Sequence, residues 1–367
     1  MRKSVVQCAI FMQKQRPYIA MIIIQFIYAG MNLFSKASVS SGMKPSVFVA
    51  YRQAFATLVL APFALFYERK GPHALTFRAL CKIFFVSSCG ISLTLNIHYV
   101  GLNYASATIA TAIPNIAPAI VFILAVCLRM ESLAITKKHG MAKVLGSILG
   151  LSGAMAFIFY KGPPLYSSSK NEASNSITKT YSKEEWVKGS LLMLTAVFTW
   201  CVWLIMQAPI LKEYPAKLRL TTLQCGLSCV TSTIYGAVRE RDISSWKLGW
   251  DFNLLSVAYC GIVVTGVTYW WQVWVVAKKG PVFTAVFGPL ALAITAIFSA
   301  LFLNETLHGG GLLGGALLIG GLYSFLWGKS REAQSLAQKN MDPSKEEAQL
   351  ECIVTVKSPT EKETQKI

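Results

Sequence analysis

"ATIATAIPNIAPAIVFILAVCL", residues 107–128, is uncharged over 22 residues and carries two prolines four apart, Pro114 and Pro118. Its length and apolarity suit a helix that crosses a bilayer, which takes roughly 20 residues. A proline inside a helix has no N–H to donate, and its ring clashes with the preceding turn. The pair therefore predicts a helix interrupted near its middle, at a depth where no water can satisfy the freed carbonyls. The rest of the chain has to explain why such a break is tolerated.

Nine further stretches of similar character accompany it, at about 17–36, 46–67, 79–102, 139–160, 187–206, 219–238, 255–277, 283–303 and 310–328. The chain is 54% hydrophobic and 14% charged over 367 residues, the composition of a polytopic membrane protein and not of a soluble globule. The expected fold is an all-α membrane protein with ten transmembrane helices. A net charge of +18 raises nucleic acid as a partner, but the basic residues form no single patch. They sit beside the ends of the spans, which is positive-inside bias toward a lipid bilayer, and no nucleic-acid partner is expected. With the N-terminus inside, the inner loops hold Arg69, Lys70, Arg78, Lys82, Arg129, Lys137, Lys138 and Lys143. Lys212, Lys217, Arg219, Lys278 and Lys279 follow on the same side. The loop after the seventh span dissents, with Arg239, Arg241 and Lys247, and so does the long basic loop after the fifth.

Nine scattered cysteines read as small buried hydrophobes, with no disulfide framework, metal site or cofactor expected. No long apolar region with a cleavage site precedes the first span, so that span is expected to serve as the signal.

The chain repeats itself. Cys89–Ile91 recurs as Cys260–Ile262, a shift of 171, and at that shift Thr94 meets Thr265 and Gln53 meets Gln224. "MESL" at 130–133 matches "NETL" at 304–307. A duplication of five spans makes the second half enter the membrane from the opposite side, giving two inverted five-helix repeats. The expected boundaries are a cytosolic N-terminal segment at 1–16, repeats at 17–160 and 186–328, a mobile linker at 161–185 and a disordered cytosolic tail at 329–367.

The repeat answers the opening question. Gly288-Pro289 interrupts the ninth span in the region where Pro114-Asn115 interrupts the fourth. Matched broken helices point to a transporter site near the midplane, between the halves. Gln25, Tyr28 and Asn32 lie along one face of span 1, Asn96, His98 and Tyr99 on span 3, and Thr108, Thr111 and Asn115 on span 4. Thr199, Trp200, Trp203 and Gln207 on span 6, and Thr265, Tyr269, Trp270 and Gln272 on span 8, complete a candidate pocket that is neutral, hydrogen-bonding and aromatic. Each residue read alone is equally an interhelical packing contact, at about 0.6 kcal/mol. Lys36, Arg52, Lys82 and Lys278 are expected to snorkel toward span ends. Gly146/Gly150 and Gly310/Gly314 are expected to pack helices closely, and a homodimer is the second use such a pattern allows. Glu131 and Glu305 read as local pairing groups, and Asn304-Glu305-Thr306 as a sequon too close to the membrane for use.

No span carries Asp or Glu near its middle. Dedicated proton symporters rely on such relays, so facilitated diffusion is favoured, with His98 as the one titratable group at depth. Gly150-Leu151-Ser152-Gly153 matches the nucleophile motif of rhomboid proteases, but only His308 follows it, in a loop, and no Walker loop is present. No enzyme is expected.

"RPYIAMIIIQFIYAGMNLFSKA", "VFVAYRQAFATLVLAPFALFYERK", "YASATIATAIPNIAPAIVFILA", "KKGPVFTAVFGPLALAITAIFSALFLNETL" and "GGLYSFLWGKSRE" resemble the plant nodulin-21-like, Walls-Are-Thin-related transporters. These belong to the drug/metabolite transporter superfamily with paired EamA repeats. The resemblance, from about residue 17 to 331, implies ten spans and transport of small organic solutes. Its members are chiefly bidirectional amino-acid facilitators of the plasma membrane or tonoplast, and Walls-Are-Thin itself is associated with auxin. The expected function is transport of neutral amino acids by alternating access. Export of auxin-like or other aromatic metabolites is the alternative, and a non-transporting receptor or scaffold is the alternative from another class.

The orientation is directly testable. A membrane-impermeant label applied to sealed cells should modify cysteines introduced in 161–185 and spare those in 329–367; labelling of the tail would overturn the inverted arrangement.

Overall fold

The computed structural model describes residues 2–68, 75–102, 104, 113–131, 137–160, 164–166, 183–302 and 307–341. Over these residues the chain makes ten helical passes. Helix α1 is Arg2–Ser40 and α2 is Pro45–Tyr67. Helix α3 joins Phe77–Ser87, a π-helical Ser88–Leu93 and Thr94–Leu102. Helix α4 is Ile113–Cys127 and α5 is Lys138–Phe159. Helices α6, Lys183–Glu213, and α7, Lys217–Arg239, open the second half. Helix α8 is Phe252–Lys279, with a π-helical Tyr259–Val267 at its centre. Helix α9 is split into Pro281–Val286 and Leu290–Phe302, and α10 is Gly309–Met341. Segments of α1, α2, α3, α6 and α8 are each long and apolar enough to span a bilayer, whereas α4 and α9 yield only shorter apolar helices. Those two carry the proline interruptions.

Packing follows a pseudo-two-fold. Helix α2 lies against α7, its repeat mate, and α5 against α10. Helix α3 packs on α6 as α8 packs on α1, and α4 meets α9. Large apolar side chains such as Leu58, Phe66, Phe85, Ile123, Ile148, Ile234 and Ile319 stay on the outer surface, where a soluble protein would not tolerate them together. Here they face lipid.

The α5–α10 contact is made by backbone. A Cβ added to Gly321 would lie 2.5 Å from the Gly150 nitrogen and 2.8 Å from the Gly146 oxygen. One added to Gly146 would lie 2.5 Å from the Phe325 nitrogen. Without a hydrophobic driving force between helices in lipid, such close approach is the main source of association. The glycine pattern is therefore used within the chain.

A closed set of charges pins one end of this pair. Lys143 on α5 reaches Glu131 at 3.1 Å and Glu332 at 2.8 Å, and Lys329 on α10 reaches Glu131 at 2.8 Å. Lys143 is 0% exposed, so losing both acids would leave a buried charge unpaired. This bonding, together with good helix formers after Ser330, extends α10 to Met341. The tail expected to be disordered from 329 is helical to that point, and 342–367 lie outside the described residues. The linker is also shorter than expected. Helix α6 already starts at Lys183, and Pro164–Tyr166 pairs antiparallel with Leu307–His308. The rest of 161–182 lies outside the described residues, as do Asn304, Glu305 and Thr306.

Two adjacent glycines separate packing from propensity. Gly321→Ala should lower stability by about 1–3 kcal/mol through overpacking. Gly320→Ala, with nothing within 4 Å of its added methyl, should be neutral or stabilising. Thermal melting of the two detergent-solubilised variants checks this, and equal melting temperatures would refute it.

Candidate functional site

Both halves are irregular where the sequence repeats. The "CGI" motifs fall inside the two π-helical segments, Ser88–Leu93 and Tyr259–Val267. A π turn shifts the backbone ladder to i→i−5 and recurs at functional sites. In α8 the Thr265 hydroxyl donates to the Cys260 carbonyl at 3.0 Å, five residues back. In α3, Asn96 Nδ2 donates to the Ser92 carbonyl at 2.8 Å, and the Ser92 and Ser232 hydroxyls share a bond at 2.7 Å. Gly90 and Gly261 let these segments approach their neighbours. A Cβ on Gly90 would lie 2.6 Å from the Trp203 Cβ, and one on Gly261 would lie 2.7 Å from the Arg52 carbonyl.

The proline breaks resolve differently from a damaged mid-helix. Residues 105–112 lie outside the described residues, Thr108 and Thr111 among them. From Ile113 to Ile116, including Pro114 and Asn115, the chain is a 3-10 turn, and Pro118 falls in the first turn of the helix that begins at Ala117. Proline is favoured there because its missing N–H has no intrahelical acceptor. In α9, Gly288 N donates to Ala285 O at 2.9 Å and Ala291 N to Gly288 O at 3.1 Å. These i→i−3 bonds re-satisfy backbone groups around Pro289. Asn115, Pro118 and Pro289 then line one crevice with Gly146, Gly150 and Leu322, enclosing ≈ 20 Å³. That volume holds a single water.

A second group forms around α1, α6 and α8. Trp200 stacks on Trp203 with centroids 4.6 Å apart, and Tyr269 stands 5.7 and 5.2 Å from the two rings. Gln272 Nε2 donates to the Tyr28 hydroxyl at 2.8 Å. Gln25, three residues before Tyr28, is buried on the same helix. Trp270 packs against the main core, and Trp203 is sealed beneath Gly90. The remaining candidates scatter. Asn32 Nδ2 is 3.5 Å from Thr295 Oγ1 on α9, in an exposed position. His98 stands edge-on to Tyr99 at 5.7 Å, and Asn96 is held by its own helix. Ser152 Oγ donates to the Leu149 carbonyl within α5.

One residue overturns the neutral pocket. Arg52 does not snorkel. It is 2% exposed, and its Nε donates to Thr265 Oγ1 at 2.6 Å. Arg52 lies about 10 Å along α2 from Pro45 at 1.5 Å per residue, while Thr265 sits near the centre of α8. The guanidinium instead turns inward, to the buried Thr265 hydroxyl within the π-helical segment. Tyr28, Tyr99 and Tyr269 and the Cys260 thiol are its electrostatic neighbours. The signal was present in "AYRQAFA", where an arginine follows seven uncharged residues of α2 and precedes fifteen more. An open pocket of ≈ 210 Å³, lined by Lys44, Tyr51, Lys247 and Asp251, lies at the loop end of the same helix.

The arrangement has known relatives. The EamA-like transporter family matches residues 15–153 and 187–327, one match per repeat. A WAT1-related protein of Arabidopsis thaliana is 48% identical over 323 residues, covering 88% of this chain and 94% of the relative. A second is 43% identical over 344 residues, covering 91% and 96%. Protein WALLS ARE THIN 1 of the same plant is 34% identical over 334 residues, covering 89% and 86%. A crystal structure at 15% identity superposes with a TM-score of 0.63, covering 84% of this chain and 97% of the other, which supports the fold. With its two five-helix repeats, this integral membrane protein belongs to the EamA-like transporter family and is a plant, Walls-Are-Thin-related transporter of small solutes.

Proposed function

We propose that the protein is a bidirectional facilitator of neutral amino acids, working by alternating access in the plasma membrane or tonoplast of a plant cell. One observation carries the mechanism: the interruptions of α4 and α9 face each other across the repeat interface, around the crevice of Asn115, Pro118 and Pro289. Helices shortened and hinged at matched points let one half rock against the other about a fixed site. The polar cluster of Tyr28, Tyr269 and Gln272 beside Trp200 offers hydrogen bonds and an aromatic wall to a small solute. Sequence resemblance supports amino acids as that solute. The aromatic wall gives auxin-like metabolites the second place.

Energy independence follows from the charges. Among the described residues the buried polar side chains include no Asp or Glu apart from Glu131, whose charge is taken up by Lys143 and Lys329. Flux should therefore run down the solute gradient in either direction and change little when the proton gradient is collapsed. Uphill accumulation abolished by a protonophore, and absent in His98→Ala, would overturn this. Efflux of a labelled amino-acid mixture from expressing oocytes tests the substrate, with loss of no amino acid as the refuting result.

The hinge has its own test. Pro118 occupies a first turn, so Pro114→Ala/Pro118→Ala should reach the membrane normally and melt within about 1 kcal/mol of wild type. Its flux per surface molecule should fall at least severalfold, because a continuous helix stiffens α4. Wild-type flux in that double variant would make the prolines packing residues.

A further inference from the structure

Two cationic side chains are buried among the described residues, Lys143 and Arg52. Lys143 is neutralised by Glu131 and Glu332. Arg52 makes no ion pair with any described carboxylate, and its electrostatic neighbours are hydroxyls and a thiol. A guanidinium taken out of water without an anion is costly, and intramembrane charges persist where they serve a ligand or ion path. The shared fold does not require this one. At the 171-residue shift Arg52 corresponds to Leu223, so the second repeat builds the matching α7 without the charge.

The surroundings are incomplete in a specific way. Gln25 Oε1 and Gln272 Oε1 are buried without a hydrogen-bond donor among the described residues. Gln272 is held beside Tyr28 by its amide nitrogen, and Tyr28 lies in the field of Arg52. One region near mid-depth thus combines a cation lacking an anion with two acceptor oxygens lacking donors. Buried polar groups of this kind are normally satisfied, by protein or by what binds there. A carboxylate matches the planar fork of arginine, and an ammonium supplies donors to amide oxygens.

We propose that Arg52 is the carboxylate anchor of the translocation site, with the Gln25 and Gln272 amide oxygens receiving the ammonium group of an amino acid. This rests on the transport reading above and names the chemistry its substrate must carry. Thr265, held in the π-helical segment, positions the guanidinium through Nε, and the Tyr99 hydroxyl contacts it from α3, so that its planar face is fixed for a ligand. Opening of the repeat interface supplies the access that the occluded arrangement lacks.

The test is thermal stabilisation of the purified, full-length protein by four small molecules. Leucine carries both charges, 4-methylpentanoate only the carboxylate, leucinamide only the ammonium, and indole-3-acetate presents the carboxylate of an auxin-like solute. Leucine should stabilise most, 4-methylpentanoate less, and leucinamide not at all. Arg52→Gln should raise the apparent Kd for leucine about ten- to a hundredfold, the loss of one charge-assisted contact. Arg52→Lys, which keeps the charge and loses the fork, should fall between. Leucinamide equal to leucine in the wild type, full leucine affinity in Arg52→Gln, or no stabilisation by any carboxylate would each overturn the anchor. If Arg52→Gln does not fold, the wild-type series and Arg52→Lys still decide. Arg52-dependent stabilisation by indole-3-acetate with none by leucine would uphold the anchor and defeat the amino-acid reading. Leucine flux unaltered in Arg52→Gln would do the reverse.

Discussion

Inside a bilayer every backbone N–H and C=O must find a partner within the protein, and each irregularity of this chain obeys that demand. The 3-10 turn at Ile113–Ile116 with the matching i→i−3 bonds around Gly288, and the π turns of α3 and α8, are two ways of bending a helix without orphaning its groups. Because they occur in matched pairs, the cost is distributed symmetrically over the two halves. The fold can then place its departures from regularity where the repeats meet.

The packing of α5 on α10 supplies the counterpart. Their backbones touch at Gly146, Gly153 and Gly321, leaving no room for a methyl group. Helices this close slide only by separating, so the pair is suited to remain a unit while the interrupted α4 and α9 flex beside it. Rigidity and compliance sit next to each other because glycine permits one and proline the other.

Much of this was legible in the sequence, and for physical reasons. Ten apolar stretches, the "CGI" repeat and the matched Gly-Pro and Pro-Asn interruptions are local patterns, and each marks a feature that appears in the structure. Arg52 was misread because burial is not local. An arginine seven residues into a span can snorkel or turn inward, and only the hydroxyl of Thr265, over two hundred residues away, decides. The extension of α10 was missed for the same reason, since Glu332 and Lys329 look like tail residues until Lys143 and Glu131 are brought beside them. Trp203 reads as a pocket residue but is wedged under Gly90, a contact no spacing rule reveals.

The Glu131–Lys143–Lys329–Glu332 cluster also changes how the surface of the protein meets its lipids. Its two positive and two negative charges cancel within a small volume, and Lys143 has no exposure at all. Lys143 therefore contributes nothing to the potential that anionic headgroups feel, although a sequence count places it among the basic residues of that loop. The attraction on this side is left to side chains that remain in solvent, such as Arg78, Lys137 and Lys138 beside the first half and Lys212 and Lys278 beside the second. Charge counted along the chain overstates the charge that a membrane can sense.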